Sequence, residues 1–212
     1  MTIRILIVDD HAIMRDGLKQ ILAGYSDIQV SGEAGDGAEA LHQIRQQKLD
    51  MVVLDMSMPG RSGIDLLKQI KFEKPDLPIL VLSMHKEDQY AGRALKAGAS
   101  GYLCKDGASS QLVCAIRKVA SGGIFISPEA AEILALRTIV TKNDAPPHTL
   151  LSDREYQIFE LIIAGKGITD MAHILNISVK TVSTHKTRIM QKLSRPTVAE
   201  LVRYAIDHGL TD

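Results

Sequence analysis

The chain has 212 residues, with 25 basic and 25 acidic side chains and a hydrophobic content of 45%. This length suits one large domain or two small ones. A net charge of zero predicts neither nucleic-acid nor membrane binding from overall charge alone. No apolar run reaches the length of a membrane span, and the start of the chain leads straight into a strand instead of a secretion signal. We therefore expect a cytoplasmic protein with no membrane partner.

The two cysteines indicate a reducing compartment. Cys104 and Cys114 are predicted to be small buried hydrophobic side chains. Redox sensing by Cys104, which precedes Lys105, is the alternative interpretation.

Strand and helix patterns alternate over the first part of the chain. Continuous apolar runs predict strands at residues 5–8, 51–54, 79–82 and 101–104, and residues 29–34 predict a more exposed strand. Apolar residues at helical spacing follow each strand, and glycines end the fourth and fifth helices. Five strands alternating with five helices predict an α/β fold with a doubly wound, five-stranded parallel sheet in the order 2-1-3-4-5.

Polar side chains stand where four of these strands end. Asp9 and Asp10 follow the first strand, Asp55 the third, Ser83 the fourth and Lys105 the fifth. In a parallel sheet these ends share one edge. Three neighbouring carboxylates resist joint ionisation, and a hard divalent cation such as Mg²⁺ relieves their repulsion. A lysine beside them suggests phosphate chemistry.

The tail of the chain is predicted to be helical after a polar linker. One short helix is predicted at residues 128–136, followed by a polar segment that contains Pro146-Pro147. Ser152 and Glu155 form a capping box for the next helix. Helices at residues 169–175 and 179–193, joined by a three-residue turn, predict a helix-turn-helix, and a last helix is predicted at 198–208.

The second helix of this pair predicts a nucleic-acid-binding face. Between Ser178 and Arg195 there are five basic residues and no acidic one, and His185 adds to them. Val182, Ile189 and Leu193 are expected to face inward, which turns Lys180, Ser183, Thr184, Thr187, Arg188 and Gln191 outward. Such a face suits phosphates and base edges, although a basic helix face is more often merely solvated.

The first 125 residues resemble the receiver domain of bacterial two-component response regulators. The resemblance is carried by Asp9-Asp10, Asp55, Ser83 and Lys105, with Tyr102 three residues before the lysine. It implies that Asp55 accepts a phosphoryl group from a sensor histidine kinase. Asp10, Asp55 and the backbone carbonyl of Ser57 would hold Mg²⁺, and Asp9 would act through a water. Ser83 and Tyr102 would form the switch, and Lys105 would neutralise the phosphoryl oxygens.

Two positions near the predicted pocket carry open questions. Many receivers have proline after the lysine, whereas this chain has Asp106, and the geometry of that peptide bond is left open. His85 stands two residues after Ser83. It either tunes the lifetime of the phosphoryl group or is an ordinary surface histidine.

The tail resembles the LuxR-type helix-turn-helix of NarL/FixJ regulators, over roughly residues 148–210. The resemblance is carried by residues 151–155, 178–182, His185 and Lys192-Leu193; residues 167–170 depart from the usual pattern. It implies that Lys180, Thr181, His185, Lys186 and Arg188 grip the DNA backbone, while Ser183, Thr184 and Thr187 approach base edges. The last helix offers Val198, Leu201, Val202 and Ala205 as a dimer seam, although half of that stripe must serve the core of the domain itself.

These features predict a response regulator in three parts: a receiver at residues 1–125, a helix and linker at 126–147, and a DNA-binding domain at 148–212. Phosphorylation would change the contacts of the receiver with the tail or favour a homodimer. Two tails could then bind double-stranded promoter DNA at two half-sites. A magnesium phosphatase is the first alternative, but it needs a second acid where this chain has Ser57. The second alternative is a DNA-binding regulator whose receiver takes no phosphate.

Overall fold

A computed structural model of the chain describes residues 2–56, 58, 63–83, 87–105, 108–127, 131 and 146–210. The chain divides into two compact units, at residue 135. The helix predicted at residues 128–136 lies outside the described residues apart from Ala131. The proposed linker limits, 126 and 147, stay a prediction.

The first unit alternates strands and helices as predicted. Its strands are β1 (Ile3–Val8), β2 (Ile28–Ala34), β3 (Met51–Asp55), β4 (Ile79–Ser83) and β5 (Gly101–Cys104); its helices are α1 (Ala12–Ala23), α2 (Gly37–Gln46), α3 (Gly63–Glu73), α4 (Glu87–Lys96) and α5 (Ala108–Ala120). Neighbouring strands are all parallel, in the order β2-β1-β3-β4-β5. The fold prediction is confirmed, and the carboxyl ends of the strands share one edge of the sheet.

The sheet is buried because helices cover its faces. One face packs against α1 and α5, and its core contains, from the sheet, Ile5, Ile7, Met51, Val53, Leu80, Leu82 and Leu103, and from the helices, Leu18, Leu22, Leu112, Ala115, Ile116 and Val119. The alternate residues of the central strands are buried as well. Burial of both faces explains why the strands read as continuous apolar runs instead of alternating patterns.

The prediction of two buried cysteines is wrong for Cys114, which is exposed, while Cys104 is half-buried. Helix α5 turns Leu112, Ala115 and Ile116 into the core. Cys114 stands two residues after Leu112, which places it toward the opposite side of a helix with 3.6 residues per turn.

An ion pair ties the amino-terminal ends of β1 and β3 together and supplies a pH-dependent stability. The Arg4 guanidinium donates to both Asp50 carboxylate oxygens, with Nε–Oδ2 of 3.0 Å and Nη2–Oδ1 of 2.8 Å. These hydrogen bonds lower the pKa of Asp50 from 3.8 to about 2, against the opposing effect of burial. Because the folded-state pKa is the lower one, the stabilisation is present above about pH 4 and is lost as the pH falls through 2.

We therefore expect Asp50→Asn to lower the free energy of unfolding at pH 7 by about 1 kcal/mol, since solvent screens a pair that is roughly one-third exposed. The deficit should shrink as the pH falls toward 2. Urea unfolding at several pH values measures it. Asp65→Asn, which removes an exposed carboxylate from α3, is the control and should leave the stability within about 0.5 kcal/mol of the parent.

The second unit is helical, as predicted. A 3₁₀ helix at Pro147–Leu150 is followed by α6 (Asp153–Ile163), α7 (Ile168–Ile174), α8 (Val179–Leu193) and α9 (Val198–Asp207). Asn176, in the turn between α7 and α8, has a φ of +50°, a left-handed conformation that asparagine tolerates better than most residues. The second unit's core is formed by apolar side chains from all four α-helices, among them Ile158, Phe159, Met171, Val182, Ile189 and Leu201.

The proposed dimer seam on α9 needs correction. Leu201 and Ala205 are fully buried, so they belong to the core of the unit. Val198 and Ile206 are exposed and Val202 is half-buried. The large apolar residues of α9 that remain accessible are therefore Val198, Val202 and Ile206, at intervals of four. Within the described ranges, no helix has both the length and the apolar character needed to span a membrane.

Candidate functional site

The carboxyl edge of the sheet gathers charged side chains from three strands. Asp9 and Asp10 directly follow β1, Asp55 is the last residue of β3, and Lys105 directly follows β5. The side chains of Asp9, Asp55 and Lys105 are each at most 4% exposed. Charged groups this deeply buried are rare unless they are paired or bind an ion.

Lys105 joins two of the carboxylates. Its Nζ lies 2.8 Å from Asp9 Oδ2 and 3.0 Å from Asp55 Oδ1. Burial lowers the pKa of Lys105, but the hydrogen bonds and charges of Asp9 and Asp55 outweigh burial and raise it. The lysine is therefore a fixed cation in contact with both aspartates.

Asp9 is held from several directions. Its backbone N–H donates to Ala34 O on β2 at 3.1 Å, and its carbonyl accepts from Arg15 Nη1 at 2.6 Å. Its carboxylate accepts from the His11 backbone N–H at 2.8 Å and from Lys105 Nζ. Because both carboxylate oxygens already accept hydrogen bonds, Asp9 is oriented before any ion arrives.

Asp9 and Asp55 also belong to a group of possible metal ligands. One ligand atom each from Asp9, Asp10, His11 and Asp55 lies within 4.8 Å of the others. Within the described part of the chain, Asp10 Oδ1 is buried and accepts no hydrogen bond. Such an orphaned acceptor is costly without a partner, and a bound cation would supply one.

The charges and donor atoms fit a hard divalent cation. Three carboxylates and one ammonium leave a formal charge of −2 in the pocket. Carboxylate oxygens are the ligands that Mg²⁺ prefers, and Mg²⁺ keeps several waters, so few protein ligands suffice. The arrangement is thus an acidic pocket that can hold a divalent ion.

Local packing brings α3 close to this pocket. Gly63, the first residue of α3, lies so near Met56 that a Cβ at Gly63 would stand 2.6 Å from Met56 Cα. Met56 follows Asp55 directly, so a larger residue at 63 would displace the backbone next to the central carboxylate.

The other predicted pocket residues fall into two groups. Ser83 ends β4 and Tyr102 lies in β5, and both are fully buried. Ser57, His85 and Asp106 lie outside the described residues. His11 and Arg15 were not predicted to be part of this site. His11 follows the aspartate pair directly, and Arg15 lies one helical turn further on.

In the second unit, an ion pair anchors helix α8 to the start of α6. Glu155 closes the capping box of α6 with Ser152 and also accepts from Lys192 Nζ at 2.6 Å. The same ammonium donates to Leu150 O at 3.1 Å. Burial raises the pKa of Glu155, but the bonds from Lys192 and Ser152 outweigh it and lower the pKa. The predicted capping box is confirmed, whereas the ion pair was not predicted because Glu155 and Lys192 lie 37 residues apart.

The basic face of α8 lies where the helical spacing predicted it. Ser178 caps the helix by accepting from Thr181 N–H at 3.1 Å, and Val182, Ile189 and Leu193 are buried. The residues turned away from this stripe include the exposed Lys180, Thr181, Thr184, Thr187, Arg188 and Gln191 and the half-buried Ser183 and Lys186.

The expectation that His185 adds positive charge to this face is not met in the free protein. Burial lowers the pKa of His185 from 6.5; Arg188 and Arg154 lower it further, and Glu155 opposes them. The imidazole is therefore neutral at pH 7. Its Nδ1 is buried, with no hydrogen-bond partner among the described residues.

Three hydroxyls of the α8 face donate to their own helix. Ser183 donates to Val179 O at 3.0 Å, Thr184 to Lys180 O at 2.9 Å and Thr187 to Ser183 O at 3.0 Å. In this state the hydroxyl oxygens keep lone pairs that can accept hydrogen bonds from outside the helix.

Comparison with known families identifies the class of protein. Residues 5–117 match the response regulator receiver domain, and residues 149–205 match the bacterial regulatory proteins of the luxR family. The chain therefore belongs to the response regulators that carry a receiver domain followed by a LuxR-type helix-turn-helix domain. Members of this family are DNA-binding transcription regulators and not enzymes, so the predicted class of response regulator is confirmed over the magnesium phosphatase.

Individual proteins resemble the chain along its whole length. The response regulator UvrY of Escherichia coli (strain K12) is 38% identical over 208 residues, covering 98% of this chain and 95% of UvrY. The oxygen regulatory protein NreC of Staphylococcus carnosus (strain TM300) is 39% identical over 215 residues, covering 99% of each. A structure of the RcsB response regulator of Salmonella typhimurium matches with a TM-score of 0.74 and 28% identity, covering 97% of this chain and 98% of RcsB.

Proposed function

We propose that Asp55 accepts a phosphoryl group and that this modification controls binding of the helix-turn-helix to promoter DNA. The observation that carries the proposal is the contact of Lys105 Nζ with Asp55 Oδ1 at 3.0 Å in a buried site. A fixed cation beside a carboxylate suits the stabilisation of charge on a phosphoryl group as it is transferred.

The ion that this pocket would hold is Mg²⁺. Asp10 and Asp55 would ligate it directly, and Asp9, whose oxygens already accept from His11 and Lys105, would act through a water. The carbonyl of Ser57, which lies outside the described residues, would complete the protein ligands. When bound, the ion neutralises charge on the phosphoryl oxygens.

The phosphoryl donor is a phosphohistidine of a sensor histidine kinase. An Asp55 carboxylate oxygen forms a new P–O bond while the P–N bond of the donor breaks. The kinase imidazole leaves with the electron pair and takes up a proton. Lys105 keeps its proton and stays paired with the developing charge, because its pKa is raised.

Ser83 and Tyr102 transmit the change. Ser83 would turn toward the phosphoryl group from the end of β4, and Tyr102 would follow within β5. Both side chains are fully buried, so any movement repacks the core around them. The phosphoryl group biases an equilibrium between an inactive and an active arrangement that exists without it.

The helix-turn-helix binds double-stranded promoter DNA through α8. Lys180, Lys186 and Arg188 pair with phosphates. Thr181 and His185 contact the DNA backbone without a charge of their own. Ser183, Thr184 and Thr187 face base edges. Their hydroxyl hydrogens point back into the helix, so the hydroxyl oxygens accept hydrogen bonds from adenine or cytosine amino groups. The threonine methyls contact thymine methyls.

Phosphorylation favours a homodimer on DNA. RcsB has been solved in a complex with DNA, and two RcsB dimers have been solved on two parallel DNAs. In this chain, Val198, Val202 and Ile206 on α9 are accessible apolar side chains that suit such a contact. Two copies would then occupy two half-sites.

The experiment uses the full chain with Mg²⁺, with and without beryllofluoride, which mimics a phosphoryl group on aspartate. A DNA site is first selected from a random duplex library by the treated chain. We expect tighter binding to that site and a shift from monomer toward dimer in sedimentation. Unchanged DNA affinity and unchanged mass would reject the proposed control and favour a regulator that takes no phosphate.

A further inference from the structure

His11 lies at the rim of the acidic pocket, with its imidazole beside the carboxylates. Its Nδ1 is 3.1 Å from Asp10 Oδ1 and 3.4 Å from Asp9 Oδ1, and its side chain is 65% exposed. The approach to Asp10 is an ion-pair contact when the imidazole is protonated, although that oxygen accepts no hydrogen bond within the described residues. The same separation suits two ligands of a common ion.

The backbone of His11 is fixed on both sides. Its N–H donates to Asp9 Oδ1 at 2.8 Å, and its carbonyl accepts from Met14 and Arg15 N–H in the first turn of α1. His11 occupies the position before α1, yet its side chain caps no backbone amide. The imidazole thus has no capping role there, and only its own rotation has to be ordered when an ion binds.

The spacing fits an octahedral ion. With bonds of ~2.1 Å, adjacent ligands of such an ion lie about 3 Å apart and opposite ligands about 4.2 Å apart. The separation of 3.1 Å between His11 Nδ1 and Asp10 Oδ1 matches the first value. The four candidate atoms, of which that of Asp9 acts through a water, all lie within 4.8 Å of one another.

We propose that His11 is a nitrogen ligand that gives the pocket added affinity for a late first-row divalent ion, for which Ni²⁺ is the probe. Imidazole binds such ions well, whereas Mg²⁺ prefers oxygen and gains little from it. A Ni²⁺-type ion would therefore compete with Mg²⁺ for the same carboxylates. The inference rests on the proposed function, because it assumes that Asp10 and Asp55 hold a divalent ion.

The test is calorimetric titration of the untagged full chain with NiCl₂ and, separately, with MgCl₂. Because His11 acts as a direct ligand, His11→Ala should lose at least what an outer-shell partner contributes, roughly 10- to 100-fold in Ni²⁺ affinity. Its Mg²⁺ affinity should stay within about twofold. His42→Ala is the matched control, since it removes an exposed imidazole from α2, and it should leave both affinities unchanged.

Asp10→Asn separates failure of this inference from failure of the proposed function. Loss of Mg²⁺ binding in Asp10→Asn, together with equal Ni²⁺ affinity in His11→Ala and the parent, overturns the His11 assignment and keeps the magnesium pocket. A parent chain that binds neither ion overturns both. Equal losses of Ni²⁺ and Mg²⁺ affinity in His11→Ala also reject the nitrogen preference. A circular dichroism spectrum of His11→Ala that matches the spectrum of the parent excludes misfolding of this variant.

Discussion

Asp55→Asn is expected to abolish uptake of a phosphoryl group from a small acyl phosphate in the presence of Mg²⁺. Asparagine keeps the shape of the side chain but removes the charge and replaces one nucleophilic oxygen with an amide nitrogen. Asp55 is buried and accepts from Lys105, so no exposed carboxylate reproduces its surroundings. Radiolabelled acetyl phosphate followed by gel electrophoresis measures the uptake.

The control for this experiment is Asp65→Asn, which makes the same chemical change at an exposed position of α3. It should take up phosphate like the parent. EDTA should suppress the parent's uptake, because removal of the divalent ion leaves the three carboxylates with the charge of Lys105 alone. Phosphate incorporated by Asp55→Asn with the parent's yield would falsify the assignment of Asp55.

Folding of the variant needs its own check, since the substitution leaves Lys105 with one carboxylate fewer in a buried site. Removing one partner of a buried ion pair commonly costs several kcal/mol. Here Asp9 still accepts from Lys105, so the loss should be smaller. Thermal unfolding of the variant distinguishes a folded chain without its acceptor from an unfolded one.

Most of the fold could be predicted from the sequence because apolar runs alternate with helical patterns, and four of the five strands end at or directly before a polar or charged residue. Parallel strands and right-handed crossovers put those ends on one edge whatever the details of packing. Asp9, Asp55 and Lys105 meet there, as that rule requires. Their parts in phosphoryl transfer remain a proposal, because adjacency alone assigns no reaction.

The features that the sequence could not predict depend on side-chain conformation or on which side of a helix is covered. Leu201 and Ala205 are apolar residues at helical spacing, and only the packing of the second unit shows that they are buried. The charge of His185 depends on its desolvation, which no spacing reveals. The approach of His11 to Asp10 depends on one rotamer at the start of α1.

Lys180→Ala/Arg188→Ala is expected to weaken binding to every DNA sequence and to flatten its dependence on salt. Both side chains are exposed on α8, and no acidic residue of that helix opposes them. Each lost phosphate contact reduces the slope of log K against log [salt] by about 0.9, so the pair removes about 1.8. The same relation predicts a roughly sixtyfold loss at 0.1 M salt.

Lys166→Ala/Arg203→Ala is the matched control because it removes two exposed cations from the same unit but not from α8. Fluorescence anisotropy over a range of KCl concentrations, with a selected and a scrambled duplex, gives the affinities and slopes. The α8 variant should lose affinity for both duplexes alike, because phosphate contacts carry no sequence information. A loss confined to the selected duplex would assign these residues to base readout, and an equal loss in the control would show a general field effect instead of a face on α8.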